Sequence, residues 1–302
     1  VLDVVEARSG VRSEHAGGSP ANVAVGLARL QQSTTFITQL ARDHGGRLIL
    51  DHLSASGVRT IAAPVERTPS ARAVIQEDGA AEYDFDIAWT LSGDHLAEID
   101  AAAHVHTGSI ASHIAPGADA VVALLARARR RGTVSYDPNV RPSLAGERDE
   151  VVSRTESCIG LADVVKASDE DIAWLYPDLS LEEVLAHWGR LGAKVCVATL
   201  GAEGSIAAIG SETVRVEPIR VDVVDTVGAG DSFMSALIDG MLRSGLLGLD
   251  ARATLAEASV DQIASTVRRA ARAAAITVSR AGANPPHVRE LGKVAGESPI
   301  GD

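Results

Sequence analysis

Residues 225–233 read DTVGAGDSF, and this stretch decides the fold expected of the chain. The apolar run 221–224 directly before it predicts a β-strand. Phe233, Leu237 and Met241 recur at helical spacing after it, so the stretch forms the turn between a strand and a helix. Glycines in such a turn allow the backbone to come close to a ligand at the N-terminus of the helix.

The turn combines hydrogen-bond donors with a carboxylate. We expect the backbone amides of Gly228, Ala229 and Gly230 to form an anion hole at the helix N-terminus. Asp231 follows in the first helical turn and faces the same place. This pairing suits phosphoryl transfer, in which a carboxylate takes the proton of an acceptor hydroxyl while nearby donors hold the phosphate charge. The alternative is that Asp231 only interacts favourably with the helix dipole.

A second glycine-bearing segment lies near the start of the sequence, where residues 16–24 read AGGSPANVA. Ser19 is expected to cap a helix that holds Pro20 in its first turn. The two glycines allow close approach of the backbone. The side-chain amide of Asn22 can both donate to and accept from sugar hydroxyls.

Strands and helices alternate from about residue 100 onward. Strands are expected at 105–107, 133–136, 162–167 and 194–199. Such alternation predicts a parallel sheet that is covered by helices on both faces. His104 and His106 share one face of the first of these strands. We favour packing at the strand end over a metal site there, because no third ligand is visible.

Residues 70–87 break this alternation. Tyr83, Phe85 and Ile87 alternate with acidic residues, and an Asp-Gly pair lies in the segment 77–80, which predicts an antiparallel hairpin. We expect the hairpin to protrude as a small second sheet. It would cover a ligand as a lid or form a dimer contact, and the two roles are compatible.

The composition limits the partners of the chain. Of its 302 residues, 46% are hydrophobic and 3% aromatic, and 28 basic residues against 40 acidic ones give a formal net charge of −12. The basic surface and aromatic platforms of nucleic-acid-binding proteins are therefore missing, whereas a small anion can still bind to backbone amides. No apolar run approaches the roughly 18 residues of a membrane span and no signal peptide is visible, so we expect a cytoplasmic protein. Cys158 and Cys196 are expected to be buried thiols.

Two common nucleotide-binding motifs are absent from the sequence. Gly292-Lys293 lacks both the upstream glycine and the following Ser or Thr of a P-loop. The dinucleotide-binding fingerprint fails because Phe233 stands at its third glycine and because it belongs early in a β-α-β unit. Any nucleotide phosphates would therefore rely on backbone amides, a helix N-terminus and metal ions.

The two glycine-bearing segments together resemble the signatures of the ribokinase-type (PfkB) carbohydrate kinases, and the resemblance runs from about residue 3 to 286. The resemblance implies a single domain over 1–302, built as a three-layer α/β/α sandwich with a mostly parallel central sheet. It also implies a small β-sheet lid formed by about 4–15 and 58–90. The implied activity is ATP-dependent transfer of the γ-phosphate to a sugar or nucleoside hydroxyl.

The resemblance also assigns roles to individual residues. Asp231 would be the catalytic base, with the amides of residues 228–230 as the anion hole. Substrate contacts would come from Asp3, Gly17, Gly18, Asn22, Tyr83, Phe85, Asn139 and Arg141. ATP contacts would come from Lys166, Ser168, Thr199, Gly201, Gly204, Gly282 and Asn284. Asp171 would serve Mg²⁺, and Asp225 would serve the monovalent cation, such as K⁺, that many members bind.

One element departs from the family pattern, and the substrate stays open. Ser168 and Asp171 replace the Asn and Glu of the family's magnesium element. The stretches 136–142 and 166–177 are most similar to bacterial fructokinases, which favours fructose. The exposed lid hairpin favours a homodimer formed through the lid. Arg141 could instead pair with the carboxylate of 2-keto-3-deoxygluconate, lie toward the phosphates or be structural. Ribose and a nucleoside are the other candidate substrates. The alternative to an enzyme is a non-catalytic regulatory protein that binds a sugar or a nucleotide.

Overall fold

The computed structural model describes residues 1–6, 12–75 and 81–292. Its strands are β1 (Leu2–Glu6), β2 (Arg12–Ala16), β3 (Thr35–Leu40), β4 (Arg59–Pro64), β5 (Ser70–Ile75), β6 (Ala81–Asp86), β7 (His104–Gly108), β8 (Thr133–Asp137), β9 (Val164–Ser168), β10 (Val195–Thr199), β11 (Ser205–Ile209) and β12 (Glu212–Val216). Its helices are α1 (Ser19–Arg29), α2 (His44–Ala55), α3 (Leu96–Ala101), α4 (Gly117–Ala128), α5 (Pro142–Ala145), α6 (Arg148–Ile159), α7 (Asp169–Leu175), α8 (Leu181–Leu191), α9 (Ala229–Arg243), α10 (Arg252–Ala256), α11 (Val260–Val278) and α12 (Val288–Leu291).

The central sheet has six strands in the order β12-β11-β10-β9-β8-β7. Strands β7 to β10 pair in parallel, and β11 and β12 continue the sheet in antiparallel fashion. Neighbouring residues of its strands point to opposite faces. Val165 and Cys196 pack with α4, α6 and α8, whereas Val164 and Val197 pack with α1, α9 and α11. The predicted three-layer sandwich with a mostly parallel sheet is therefore confirmed.

The apolar run before the glycine turn is not a strand, so the prediction for 221–224 is wrong. Residues 217–227 form an exposed loop between β12 and α9, in which Val223 and Val224 are each 64% exposed. The N–H groups of Val224 and Asp225 both donate to the carbonyl of Val278, at 2.8 and 3.2 Å. Because these N–H groups bond to the end of α11 and not to a strand, the run crosses from the sheet edge to α9 without joining the sheet.

A second sheet of four strands, in the order β2-β1-β5-β6, corresponds to the expected lid. Strands β5 and β6 form an antiparallel pair in which Ser70 stands opposite Asp86; the predicted turn at 77–80 lies outside the described residues. Phe85 is half-buried between exposed Asp84 and Asp86, as the alternation predicts. Strand β4 falls within the expected lid range 58–90 but pairs in parallel with β3, because β3, α2 and β4 form a β-α-β unit.

The two cysteines and the histidine at the start of β7 have the surroundings expected of them. Cys158 and Cys196 are both buried, as expected. His104 bonds to the hydroxyls of Thr133 (2.9 Å) and Ser135 (2.8 Å), and burial lowers its pKa to about 3. Within residues 1–6, 12–75 and 81–292, no three His, Cys, Asp or Glu side chains are grouped to hold a metal ion. Among the helices of those same residues, none has the length and apolar character that crossing a membrane requires.

Candidate active site

Helix α9 begins at the glycine turn. Gly228 is its N-cap and has a φ of 76°, in the left-handed region that favours glycine. A Cβ atom on Gly228 would lie 2.6 Å from the Cβ of Ala283, so only glycine fits. The N–H of Ala229 donates to the carbonyl of Thr226 at 3.2 Å, whereas the described residues offer no backbone acceptor to the N–H groups of Gly228 and Gly230. Two of the three predicted anion-hole amides are therefore available to a ligand.

Asp231 lies in the first turn of α9 and is only 6% exposed. Its Oδ1 accepts a hydrogen bond from the Ser19 hydroxyl at 2.6 Å, and its Oδ2 accepts one from the Asn22 side-chain amide at 2.8 Å. Both donors belong to α1, so the two glycine-bearing segments of the sequence meet at this carboxylate. The side-chain amide of Asn139 donates in turn to the Ser19 hydroxyl oxygen at 3.0 Å.

Ser19 does not have the capping role that its position predicts. The N-cap of α1 is Gly18, with a φ of 98°, and no side chain caps the helix. Ser19 is the first helical residue, followed by Pro20 in the first turn as expected. Its hydroxyl is directed at Asp231, which lies 212 residues away in the sequence. Local sequence patterns cannot indicate a partner that is so far away in the sequence. The serine before a proline therefore predicts an N-cap, which is wrong here.

The lid contributes Asp3, from strand β1. A Cβ atom on Gly17 would lie 1.8 Å from Oδ2 of Asp3, so the carboxylate occupies the space that the glycine leaves open. Burial raises the pKa of Asp3, against the opposing charges of the amino terminus, His15 and Arg141. Arg141 is exposed and donates to the carbonyl of Val140 at 3.1 Å. This part of the site offers one acceptor and one cation to a polar ligand.

A buried ion pair lies beneath the anion hole. The Lys166 ammonium is 2.8 Å from Oδ2 of Asp137, and the two side chains are 3% and 1% exposed. Burial raises the pKa of Asp137 to about 6, although Lys166 opposes this shift. Burial would lower the pKa of Lys166, but the nearby carboxylates outweigh it and the pKa is raised. The ammonium would be 3.0 Å from a Cβ atom on Gly230, so a fixed positive charge supports the first turn of α9.

Ser168 and Asp171 form a capping box at the start of α7. The Ser168 hydroxyl oxygen accepts the N–H of Asp171 at 3.0 Å, and Oδ2 of Asp171 accepts the Ser168 hydroxyl at 2.7 Å. Oδ1 of Asp171 accepts the N–H of Val140 at 2.8 Å, which ties α7 to the segment that carries Asn139. Donors of the protein therefore already bind both carboxylate oxygens, and a metal ion there would share them.

The loop after β10 carries Thr199, Gly201 and Gly204. Both glycines are left-handed, with φ of 54° and 91°. A Cβ atom on Gly204 would lie 2.2 Å from the carbonyl oxygen of Val216, so β12 can approach the loop only at a glycine.

Asp225, Gly282 and Asn284 join the glycine turn to the loop after α11. The carboxylate of Asp225 accepts the N–H groups of Val227 (3.0 Å) and Gly282 (2.8 Å), and these bonds hold its pKa below its ordinary value. Oδ1 of Asn284 accepts a hydrogen bond from Arg29 of α1 at 2.6 Å. The side chains of Asp225 and Asn284 are thus engaged within the protein.

One continuous cavity of about 2390 Å³ connects these elements. Its lining includes Asp3, Gly17, Gly18, Ser19, Asn22, Phe85, Asn139, Arg141, Lys166, Ser168, Asp171, Thr199, Gly201, Gly204, Gly228, Ala229, Gly230 and Asp231. Asp225, Gly282 and Asn284 are not part of this lining, and the side chain of Tyr83 lies outside the described part of the chain. Most residues predicted to bind sugar, phosphate and nucleotide therefore share one cavity, together with Ser19, which was not predicted there.

The family described as pfkB family carbohydrate kinase matches residues 3–289, which is nearly the whole chain. The chain belongs to the PfkB family of carbohydrate kinases. The enzyme class that the sequence motifs predict, a carbohydrate kinase, is thereby confirmed.

Relatives of this PfkB kinase carry a more specific description. It is 34% identical to a fructokinase of Rhizobium leguminosarum bv. trifolii, over 77% of this chain and 73% of the relative. The crystal structure of a fructokinase with bound ATP from Xylella fastidiosa is similar with a TM-score of 0.87, at 27% identity, over 96% of this chain and 94% of that one. A fructokinase of Vibrio cholerae O395 in a fructose, ADP and calcium ion bound form has a TM-score of 0.76 at 27% identity, over 93% and 92%.

Proposed function

We propose that this kinase transfers the γ-phosphate of ATP to a primary hydroxyl of a sugar, and that the sugar is fructose. The position of Asp231 carries the proposal: a buried carboxylate faces the cavity beside the available amides of Gly228 and Gly230. The fructokinase relatives, one described with ATP and one with fructose and ADP, support the choice of both substrates.

The chemistry follows from these groups. The Asp231 carboxylate accepts the proton of the sugar hydroxyl, whose oxygen forms a bond to the γ-phosphorus. The bond between the γ-phosphorus and the oxygen bridging to the β-phosphate breaks, and ADP leaves with that electron pair. The amides of Gly228 and Gly230 and the ammonium of Lys166 stabilise the negative charge on the transferred group. The products are a sugar phosphate and ADP.

Metal ions fit this site mainly through the phosphates. Mg²⁺ commonly takes phosphate oxygens and water together with one or two carboxylates, and it neutralises phosphate charge when bound. Asp171 is the carboxylate that would hold it through water, because donors of the protein already bind both its oxygens. A K⁺ ion at Asp225 would likewise share that carboxylate with the N–H groups of Val227 and Gly282.

The test is a panel of acceptors in a coupled assay of ADP release: fructose, ribose, 2-keto-3-deoxygluconate and a nucleoside. We expect the highest kcat/KM with fructose, and a higher value with the keto acid would contradict the choice of fructose. Asp231→Asn should keep the fold and lose at least about a hundredfold in kcat. Turnover of this variant near that of the wild type would contradict the mechanism. Ligand-induced rises in melting temperature without ADP release would support a non-catalytic binding protein instead.

A further inference from the structure

Three side chains form a directed chain of hydrogen bonds that ends on the catalytic carboxylate. The amide of Asn139 donates to the Ser19 oxygen at 3.0 Å, and the Ser19 hydroxyl donates to Oδ1 of Asp231 at 2.6 Å. An amide NH₂ group only donates, and a serine hydroxyl has a single hydrogen. Because Asn139 occupies a lone pair of the Ser19 oxygen, that hydrogen is committed to Asp231.

We infer that Ser19 is a positioning residue for the phosphoryl transfer. Its hydroxyl fixes the rotation of the Asp231 carboxylate, so that the oxygen lone pairs left free face the acceptor hydroxyl. The inference rests on the proposed function for the reaction, but not on which sugar is the acceptor.

The geometry explains why a second donor is needed beside Asn22. A carboxylate has about four lone-pair sites, and α1 binds one on each oxygen of Asp231. With Asn22 alone, the carboxylate could pivot about the bond to Oδ2, whereas two donors on different oxygens fix its plane. A hydrogen bond to a charged acceptor is short and strong, and the bond from Ser19 is the shorter of the two.

Burial and local structure assign the hydroxyl to this task. Ser19 is 8% exposed and Asp231 is 6% exposed, so solvent water does not readily replace the hydroxyl. The hydroxyl does not cap α1, because Gly18 is the N-cap and no side chain bonds there. Its partners in the described residues are Asn139 and Asp231, which both line the cavity.

The experiment compares Ser19→Ala, Ser19→Thr and the control Ser235→Ala, with the best acceptor of the panel. Ser235 is also a buried serine that faces α1, but its hydroxyl donates to the carbonyl of Ser232 and not to the carboxylate of Asp231. We expect Ser19→Ala to lower kcat about ten- to thirtyfold with little change in the sugar KM, because a donor to a charged group is lost. Ser19→Thr keeps a hydroxyl and should recover kcat to within about threefold of the wild type. Ser235→Ala should lower the melting temperature and leave kcat unchanged.

A double-mutant cycle tests the link to Asn139. Asn139→Ala should reduce kcat less in the Ser19→Ala background than in the wild type, because part of its effect passes through Ser19. Full additivity of the two losses in kcat would overturn the link.

Other outcomes separate the inference from the proposed function. A Ser19→Ala kcat within about twofold of the wild type, while Asp231→Asn is inactive, would overturn the positioning role alone. A loss that Ser19→Thr fails to recover, in a variant that melts like the wild type, would also overturn it by assigning the effect to packing. Absence of ADP release by the wild type with every acceptor would overturn the proposed function and the inference together.

Discussion

At Asp231, hydrogen bonds from α1 hold a buried carboxylate, whereas the loop 217–227 exposes Val223 at 64% and Val227 at 55% in the lining of the same cavity. We refer to Asp231, Ser19, Asn22 and Asn139 as the base end, and to residues 217–227 as the loop end. The polar groups of the base end are paired with one another within the protein. The loop end instead offers apolar surface that a planar ring can cover. Under the proposed function, the groups for the chemistry are held by the protein itself, and the nucleotide would cover the apolar loop end.

The largest effect short of removing the base is expected at the ammonium that supports the base end. Lys166→Met removes a fixed positive charge beneath the anion hole and should lower kcat about a hundredfold. It also leaves Asp137 buried without its partner, which should lower the free energy of unfolding by about 3 kcal/mol. The control is Lys194→Met at an exposed position, which should change neither. Steady-state kinetics measure the change in kcat, and denaturant unfolding measures the change in the free energy of unfolding. Equal effects of the two lysine variants would contradict a specific role for the Lys166 charge.

A smaller effect is expected where the two ends meet. Gly228 and Gly245 stand at opposite ends of α9 with similar φ values of 76° and 71°, but only Gly228 has a close neighbour, Ala283. Gly245→Ala should therefore lower stability by about 1 kcal/mol through its backbone conformation alone. Gly228→Ala should add a steric clash that moves the anion-hole amides and lowers kcat about tenfold or more. Similar kcat values for the two variants would show that the turn is not held in place.

Acid should lower the free energy of unfolding through two histidines of strand β7. Burial lowers the pKa of His104 and His106 to about 3. Between that pH and the ordinary histidine pKa, these side chains are protonated in the unfolded chain but neutral in the folded protein. Their contribution is fully present above pH ~6.5 and is lost as the pH falls toward 3, at about 1.4 kcal/mol per pH unit for each histidine.

His104→Asn isolates this effect from Asp137, whose pKa of about 6 acts in the opposite direction. We expect the variant to show a slope of unfolding free energy against pH that is smaller by about 1 kcal/mol per unit between pH ~6 and ~4. An unchanged slope in denaturant titrations would mean that His104 is protonated in the folded protein.

The smallest effect is expected at the loop end. Val223→Ser removes exposed apolar surface that lines the cavity, so the KM for ATP should rise about three- to fivefold while the sugar KM and the melting temperature stay the same. Leu179→Ser is the control, because Leu179 is 43% exposed but does not line the cavity. An equal change of the ATP KM in both variants would remove the distinction between the two ends.

The sequence predicts the layers of the fold better than the details of their connections. The buried strand β10, which reads VCVAT, is apolar almost throughout, as a strand covered on both faces tends to be, and its position is predictable. The run 221–224 is equally apolar and yet lies on the surface. The composition of a short segment does not distinguish a buried strand from an exposed loop, because a segment becomes a strand only where a neighbouring strand is available for pairing.

The site shows the same limit. Motifs select Asp231 and Asn22 as candidates, because glycines and a carboxylate at a helix start have local signatures, and the structure brings these two side chains together. Ser19 and Asp137 are missed, since a serine before a proline resembles a cap and an aspartate before a proline resembles the end of a strand. Their partners, Asp231 and Lys166, are brought to them only by the tertiary fold.

The contact between α1 and α9 also bears on the order in which the protein is made. Ser19 and Asp231 are separated by 212 residues, and Arg29 and Asn284 by 255. Contacts between residues so far apart in the sequence form late in folding, because the entropy of closing a long loop is lost before the contact stabilises the chain. During synthesis Ser19 and Asn22 of α1 emerge long before Asp231, so a chain that stops before residue 231 lacks the carboxylate they bind. Helix α1 therefore acquires its partners on α9 and after α11 only when most of the chain has been made.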